Sequence, residues 1–162
     1  TLHTNDAPGA LTRLVDMGIE AYLVASTLEA VIAQRLVRLI CSNCKEAFTP
    51  KNIETLRTEF GTGLPDQLYR GVGCQECRGI GYTGRKGVFE QMVVNESVRA
   101  AITEGASPRR IRELAVENGM KSLREDGFRY LRDGLTTVEE LLRGTKDERV
   151  NGHGFKGSGS KG

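Results

Sequence analysis

The residues of this chain best suited to chemistry are its four cysteines, arranged as Cys41-Ser-Asn-Cys44 and Cys74-Gln-Glu-Cys77. Two residues between paired cysteines let a tight turn aim both thiolates at one point, so each pair supplies half of a tetrahedral site. Two such turns joined by a loop, here residues 45–73, match the layout of a structural four-cysteine zinc centre. The loop is longer than in the commonest ribbons, but closure cost grows only logarithmically with length. With every coordination position filled by protein, no water is left to activate, so the expected Zn2+ is structural. Two other readings of the same thiols stay open. One is a pair of disulfides, which a reducing compartment disfavours; the other is a four-cysteine iron site.

Composition narrows the class. The chain has 162 residues, enough for one domain or two small ones, and its 38% hydrophobic and 27% charged content is that of an ordinary water-exposed fold. A net charge of +2 is too mild to argue for nucleic acid, and none is expected as a partner. No apolar run approaches membrane-spanning length and no signal peptide is visible, which points to the cytoplasm. The opening Thr1-Leu2-His3-Thr4-Asn5 reads as the interior of a longer polypeptide. Residues 145–162 read as a flexible tail, and Lys156-Gly-Ser-Gly-Ser-Lys161 within them as an expression linker.

The elements that must position the cysteines can be read in order. Asn5 or Asp6 caps a helix with Pro8 in its first turn and Leu11, Leu14 and Val15 on one face, stopped at Gly18. Glu20 to Thr27 reads as a second short helix. Leu28 to Ile40 fits a buried strand or a helix equally on pattern, and Arg35 and Arg38 within it are expected to extend to solvent. Ile53 to Phe60 reads as a helix. Arg78 to Gly87 carries four glycines and reads as a sharp turn passing close to a metal site or another chain. A phosphate cradle there lacks the P-loop spacing. Gly87 to Val94 reads as a strand. Four short helices then follow, opened by Asn95 or Ser97, by Ser107, by Ser122 and by a Thr137/Glu140 capping box. Their many arginines alternate with Glu and Asp, the mark of a solvated helix face. His3, taken alone, reads as a surface or hydrogen-bonded structural histidine.

Several stretches together carry a resemblance. Thr1-Leu2-His3-Thr4-Asn5-Asp6-Ala7 is similar to the histidine box of the secretion ATPases, the type II secretion motors and their relatives in type IV pilus assembly. Ala33-Gln34-Arg35-Leu36-Val37-Arg38 leading into Cys41 resembles the entry to that family's zinc-binding module. Cys74 to Glu90 resembles its second cysteine pair and following strand, and Gly119-Met120, Ser122-Leu123 and Gly134 to Leu142 its helical end. The type II branch is the closer resemblance.

The resemblance implies an α/β, α-rich fold. Residues 1–40 would end a RecA-like ATPase core, 41–94 form the tetracysteine zinc module and 95–144 a helical C-terminal subdomain. It implies a hexameric parent that hydrolyses ATP with Mg2+ at the bacterial inner membrane, with secretion or pilus complex proteins as partners. His3 would lie near the nucleotide, and Arg35 and Arg85 would be nucleotide-associated. The chain carries no Gly-x-x-x-x-Gly-Lys-Ser/Thr, so it is expected to be inactive alone. Readings from another class are a freestanding zinc-binding interaction module, either chaperone-like or a nucleic-acid-binding zinc ribbon.

Overall fold

In a computed structural model, the structure describes residues 4, 6–60 and 64–145. His3 and the tail beyond Thr145 lie outside these described residues. The fold is mixed α/β with two small antiparallel sheets. The larger is a ribbon of β1 (Ala30–Ile40) and β4 (Tyr82–Val93), paired from Ala30 opposite Val93 to Ile40 opposite Tyr82, with an irregularity between Arg38 and Ile40. The ambiguity at Leu28–Ile40 is thus resolved as strand: these residues alternate between exposed and half-buried and meet a partner of matching length. β4 begins earlier than Gly87, because Tyr82 to Lys86 continue the ladder and do not close a turn.

One face of the ribbon carries two separate cores. Towards its Ala30/Val93 end, Met92 and Val94 pack with α1 (Ala7–Asp16), α2 (Ala21–Thr27), α4 (Glu96–Thr103) and α5 (Pro108–Glu117). Towards the other end, Val37 and Val88 pack with α6 (Leu123–Arg132), α7 (Val138–Gly144) and residues of α3 (Ile53–Phe60) and β3 (Leu68–Gly71). Between the cores a polar seam crosses the ribbon. There Arg35 Nη2 donates to the Thr4 carbonyl at 3.2 Å, and the buried Glu90 accepts from Ala7 N at 2.8 Å and Arg112 Nη1 at 3.3 Å. Arg112 also binds Asp6 at 2.5 Å, and Asp6 caps α1 by accepting from Gly9 N. The opposite ribbon face leaves Ile32, Leu36, Phe89 and Val93 exposed.

Among the described residues five helix starts are capped by side chains, at Asp6, Asn95, Ser107, Ser122 and Thr137, with Ser122 forming a complete capping box with Glu125. The box expected at α7 is only half made. Thr137 accepts from Glu140 N, but the Glu140 carboxylate does not return to Thr137. It is fully buried and accepts from Arg38 N, Nε and Nη2 and from Arg143 Nε and Nη2, at 2.7–3.1 Å. Burial alone would raise its pKa, but hydrogen bonds from Arg143 and Arg38 outweigh this and hold it at about 2. Arg38 therefore does not simply extend to solvent. Its guanidinium is fixed by this carboxylate and stacked over the Tyr82 ring at 4.2 Å. A buried carboxylate with five donors is the stronger competitor for it than water.

Candidate metal centre

The two cysteine turns grow out of the ribbon's far end. Cys41 follows the last residue of β1 in extended conformation, and a single 3-10 turn over Ser42–Cys44 brings Cys44 N to within 3.3 Å of the Cys41 carbonyl. The chain then enters β2 (Lys45–Phe48), which pairs with β3 and so returns the second cysteine pair beside the first. Val72 N donates to the Cys44 carbonyl at 3.1 Å and Gly79 N to the Cys74 carbonyl at 2.9 Å, which closes the second turn. Cys41 N then donates to Gly81 O at 3.0 Å, locking the two turns together.

Glycine makes this crossing possible. A Cβ on Gly71 would stand 2.0 Å from the Gly81 carbonyl oxygen, and one on Gly73 would stand 2.6 Å from that of Gly79. The glycine-rich stretch after Cys77 is therefore a close backbone crossing at the cysteine cluster.

The four sulfurs lie within 4.8 Å of one another. Cys41 and Cys74 are 3.8 Å apart, Cys44 and Cys77 3.8 Å, and Cys74 and Cys77 3.7 Å. Tetrahedral zinc with Zn–S bonds of about 2.3 Å requires sulfur–sulfur edges of about 3.8 Å. A disulfide requires about 2.05 Å. The donor set therefore fits a thiophilic tetrahedral cation and not a pair of disulfides.

Hydrogen bonds to sulfur reinforce that fit. Gly73 N donates to Cys44 Sγ at 3.3 Å, Asn43 Nδ2 to Cys74 Sγ at 3.3 Å, and Cys74 N and Gly81 N to Cys77 Sγ at 3.2 Å each. The Asn43 amide is the chief influence holding Cys74 down at about 6, and the Cys74 backbone N–H lowers Cys77. Burial pushes Cys44 up to about 12, with the neighbouring cysteines adding to the rise. Binding a cation at such a cluster displaces the protons its thiols carry.

The other residues singled out in the sequence stand apart from the cysteines. Arg35 is in the polar seam, about 20 Å of strand from Cys41 at the usual rise per residue. Arg85 is exposed on β4, opposite Arg38 in the ladder. Sequence reading missed the sulfur donors Gly73, Gly81 and Asn43. The first two act through backbone N–H groups, which side-chain identity does not reveal. Asn43 was visible only as one of the two residues inside the first Cys-x-x-Cys.

Residues 1–143 match the family described as Type II/IV secretion system protein. The chain is 45% identical over 151 residues to the type IV pilus assembly ATPase PilB of Thermus thermophilus, covering 90% of this chain and 16% of that protein. It is 44% identical over 147 residues to the type II secretion system protein HxcR of Pseudomonas aeruginosa, covering 91% of this chain and 28% of that protein. Its identity to the type II secretion system protein E of Aeromonas hydrophila is 44% over 155 residues, covering 91% and 29%. The chain thus spans less than a third of the length of these relatives, and its identities to the pilus assembly and secretion members named here are alike, 45% and 44%.

Proposed function

Since the chain belongs to the Type II/IV secretion system protein family, we propose that it is the C-terminal part of an ATPase that powers type II secretion through pseudopilus assembly. In this reading residues 1–40 end a RecA-like core, 41–94 form a zinc module and 95–144 a helical cap. The β1–β4 pairing favours drawing the cysteine excursion more tightly, as 41–81, with β4 joined to the core strand. Cys41, Cys44, Cys74 and Cys77 hold a structural Zn2+, whose contribution is to cross-link the excursion. His3 senses the nucleotide, and Arg35 and Arg85 lie near it. ATP and Mg2+ act only in the longer parent, a hexamer docked on inner-membrane secretion proteins from the cytoplasmic side.

The observation that carries this reading is the match of residues 1–143 to the family, with 44–45% identity to type II and type IV members. The 45% identity to a pilus assembly ATPase favours pilus assembly as the second reading. No helix among the described residues is long and apolar enough to cross a membrane.

The test compares ATP turnover by this chain and by the longer polypeptide of its gene, together with bound-metal content. We expect Mg2+-dependent turnover only in the longer protein, and one zinc per chain in both. Turnover by the 162-residue chain itself, or thiols that bind no metal, would overturn the reading.

A further inference from the structure

The hydrogen bonds around the cysteine cluster are unequal in kind. Those on Cys44 and Cys77 come from backbone N–H groups of Gly73, Cys74 and Gly81, which no side-chain change removes. The foremost one on Cys74 comes from a side chain, the Nδ2 of Asn43, at 3.3 Å. Burial is unequal too. Cys41 and Cys77 are buried, whereas Cys44 and Cys74 are only half-buried. Cys74 is therefore a water-accessible ligand whose foremost N–H donor is an exposed side-chain amide, with the Cys77 backbone N–H second to it. Asn43 lies in the first cysteine turn and Cys74 in the second, so this bond also ties the two halves of the site directly to each other.

We propose that Asn43 is the positioning residue that governs metal release from this centre, holding Cys74 as the ligand that would otherwise dissociate first. The proposal rests on the reading of the four cysteines as a metal site. The physical basis is charge. Four thiolates around a divalent cation leave a net negative cluster, and each N–H donor delocalises part of that charge and lowers the tendency of its sulfur to take up a proton or attack an electrophile. Without the Asn43 amide, Cys74 Sγ keeps only the weaker Cys77 backbone N–H and water. The sulfur then becomes the open door of the site, for loss of the metal and for any soft electrophile that reaches it.

The chain itself, loaded with Zn2+, provides the test. Asn43→Leu keeps the approximate shape and removes the donor; Asn43→Asp keeps the shape and adds a negative charge. Ser42→Ala, at the exposed neighbouring position, serves as the control. Two quantities are read: the rate of zinc transfer to a chromophoric chelator, and the order in which the cysteines are labelled by iodoacetamide, in which a thiolate sulfur displaces iodide. We expect zinc release to quicken about tenfold in Asn43→Leu, the lower end of the effect of removing such an outer-shell partner. It should quicken further in Asn43→Asp and stay unchanged in Ser42→Ala, with Cys74 the first cysteine labelled in both Asn43 variants. Equal release rates in parent and Asn43→Leu, or labelling that begins at Cys44 in the variants, would overturn the proposal. A parent chain that takes up no zinc would instead overturn the metal-site reading on which it rests, a result distinct from either.

Discussion

At the Ala30/Val93 end of the ribbon, Leu11, Val24, Val98, Ile102 and Ile111 close a core in which every helix contributes its own apolar stripe. At the Ile40/Tyr82 end, Leu123, Leu131, Val138 and Leu141 do the same from α6 and α7, but the core is completed by Leu56, Leu64 and Leu68. Those three leucines lie in the loop between the two cysteine pairs. Their burial therefore depends on this excursion, with its short helix and strands, being held against the helices of the ribbon. A lobe of this size, with a short helix and two four-residue strands, has little core of its own. The difference teaches where a metal in the proposed site would act: at the end of the molecule that helix packing alone leaves incomplete.

The sharpest way to break the comparison is at the metal. Cys44→Ser, or chelation of the parent, should remove an apparent folding contribution on the order of 10 kcal/mol from the cysteine lobe. Amide hydrogen exchange should then rise throughout β2, α3 and β3 and partly in α6 and α7, while α4 and α5 keep their protection. Equal loss of protection at both ends would mean that the two cores are one cooperative unit.

The buried carboxylates sharpen it next. Glu140 serves the cysteine-side core with five donated bonds, and Glu90 serves the seam with two from Ala7 and Arg112. Glu140→Ala should cost about 3 kcal/mol in denaturant unfolding, the lower end for breaking a buried ion pair, because Arg143 can rehydrate. Glu90→Gln should cost about 1 kcal/mol, since an amide oxygen still accepts from Ala7 N.

The acid limb reports the same group. The folded pKa of Glu140 is depressed from its ordinary 4.5 to about 2, so the ionised form is the one the fold favours. Its stabilisation is fully present above pH 4.5 and disappears as pH falls through about 2. The stability difference between the parent and Glu140→Gln should therefore narrow across that window. The smallest effect belongs to the capping box of α6: Ser122→Ala should cost about 1 kcal/mol, read as a shift in denaturant midpoint without a change of slope.

Much of this was legible in the chain because its signals are local. Asp6, Ser107 and Ser122 announce helix starts by themselves, and the doubled Cys-x-x-Cys announces its own cluster. What escaped was set by distant partners. Thr137 and Glu140 have the spacing of a capping box, yet Glu140 is claimed by Arg38, 102 residues away in sequence. β2 and β3 are four residues each, too short for alternation to register, and they exist because they pair with each other across the α3 loop. Gly127 sits in mid-helix, where local propensity argues against it. Its reason is spatial: a Cβ there would stand 2.3 Å from Leu141 Cδ1, so α6 could not approach α7 so closely.

Ile40 and Tyr82 face each other across the ribbon, so the cysteine excursion leaves and rejoins it at adjacent points. Mechanically this makes the excursion a stirrup rather than a strap. A pull along the ribbon axis draws both strands the same way, and the ladder between them is not sheared. A sideways pull would ordinarily peel a hairpin open one pair at a time from its end. Here that end carries the four cysteines, so with a metal bound across them the peel would have no starting point. Force applied to the lobe would then reach α6 and α7, against which its leucines pack.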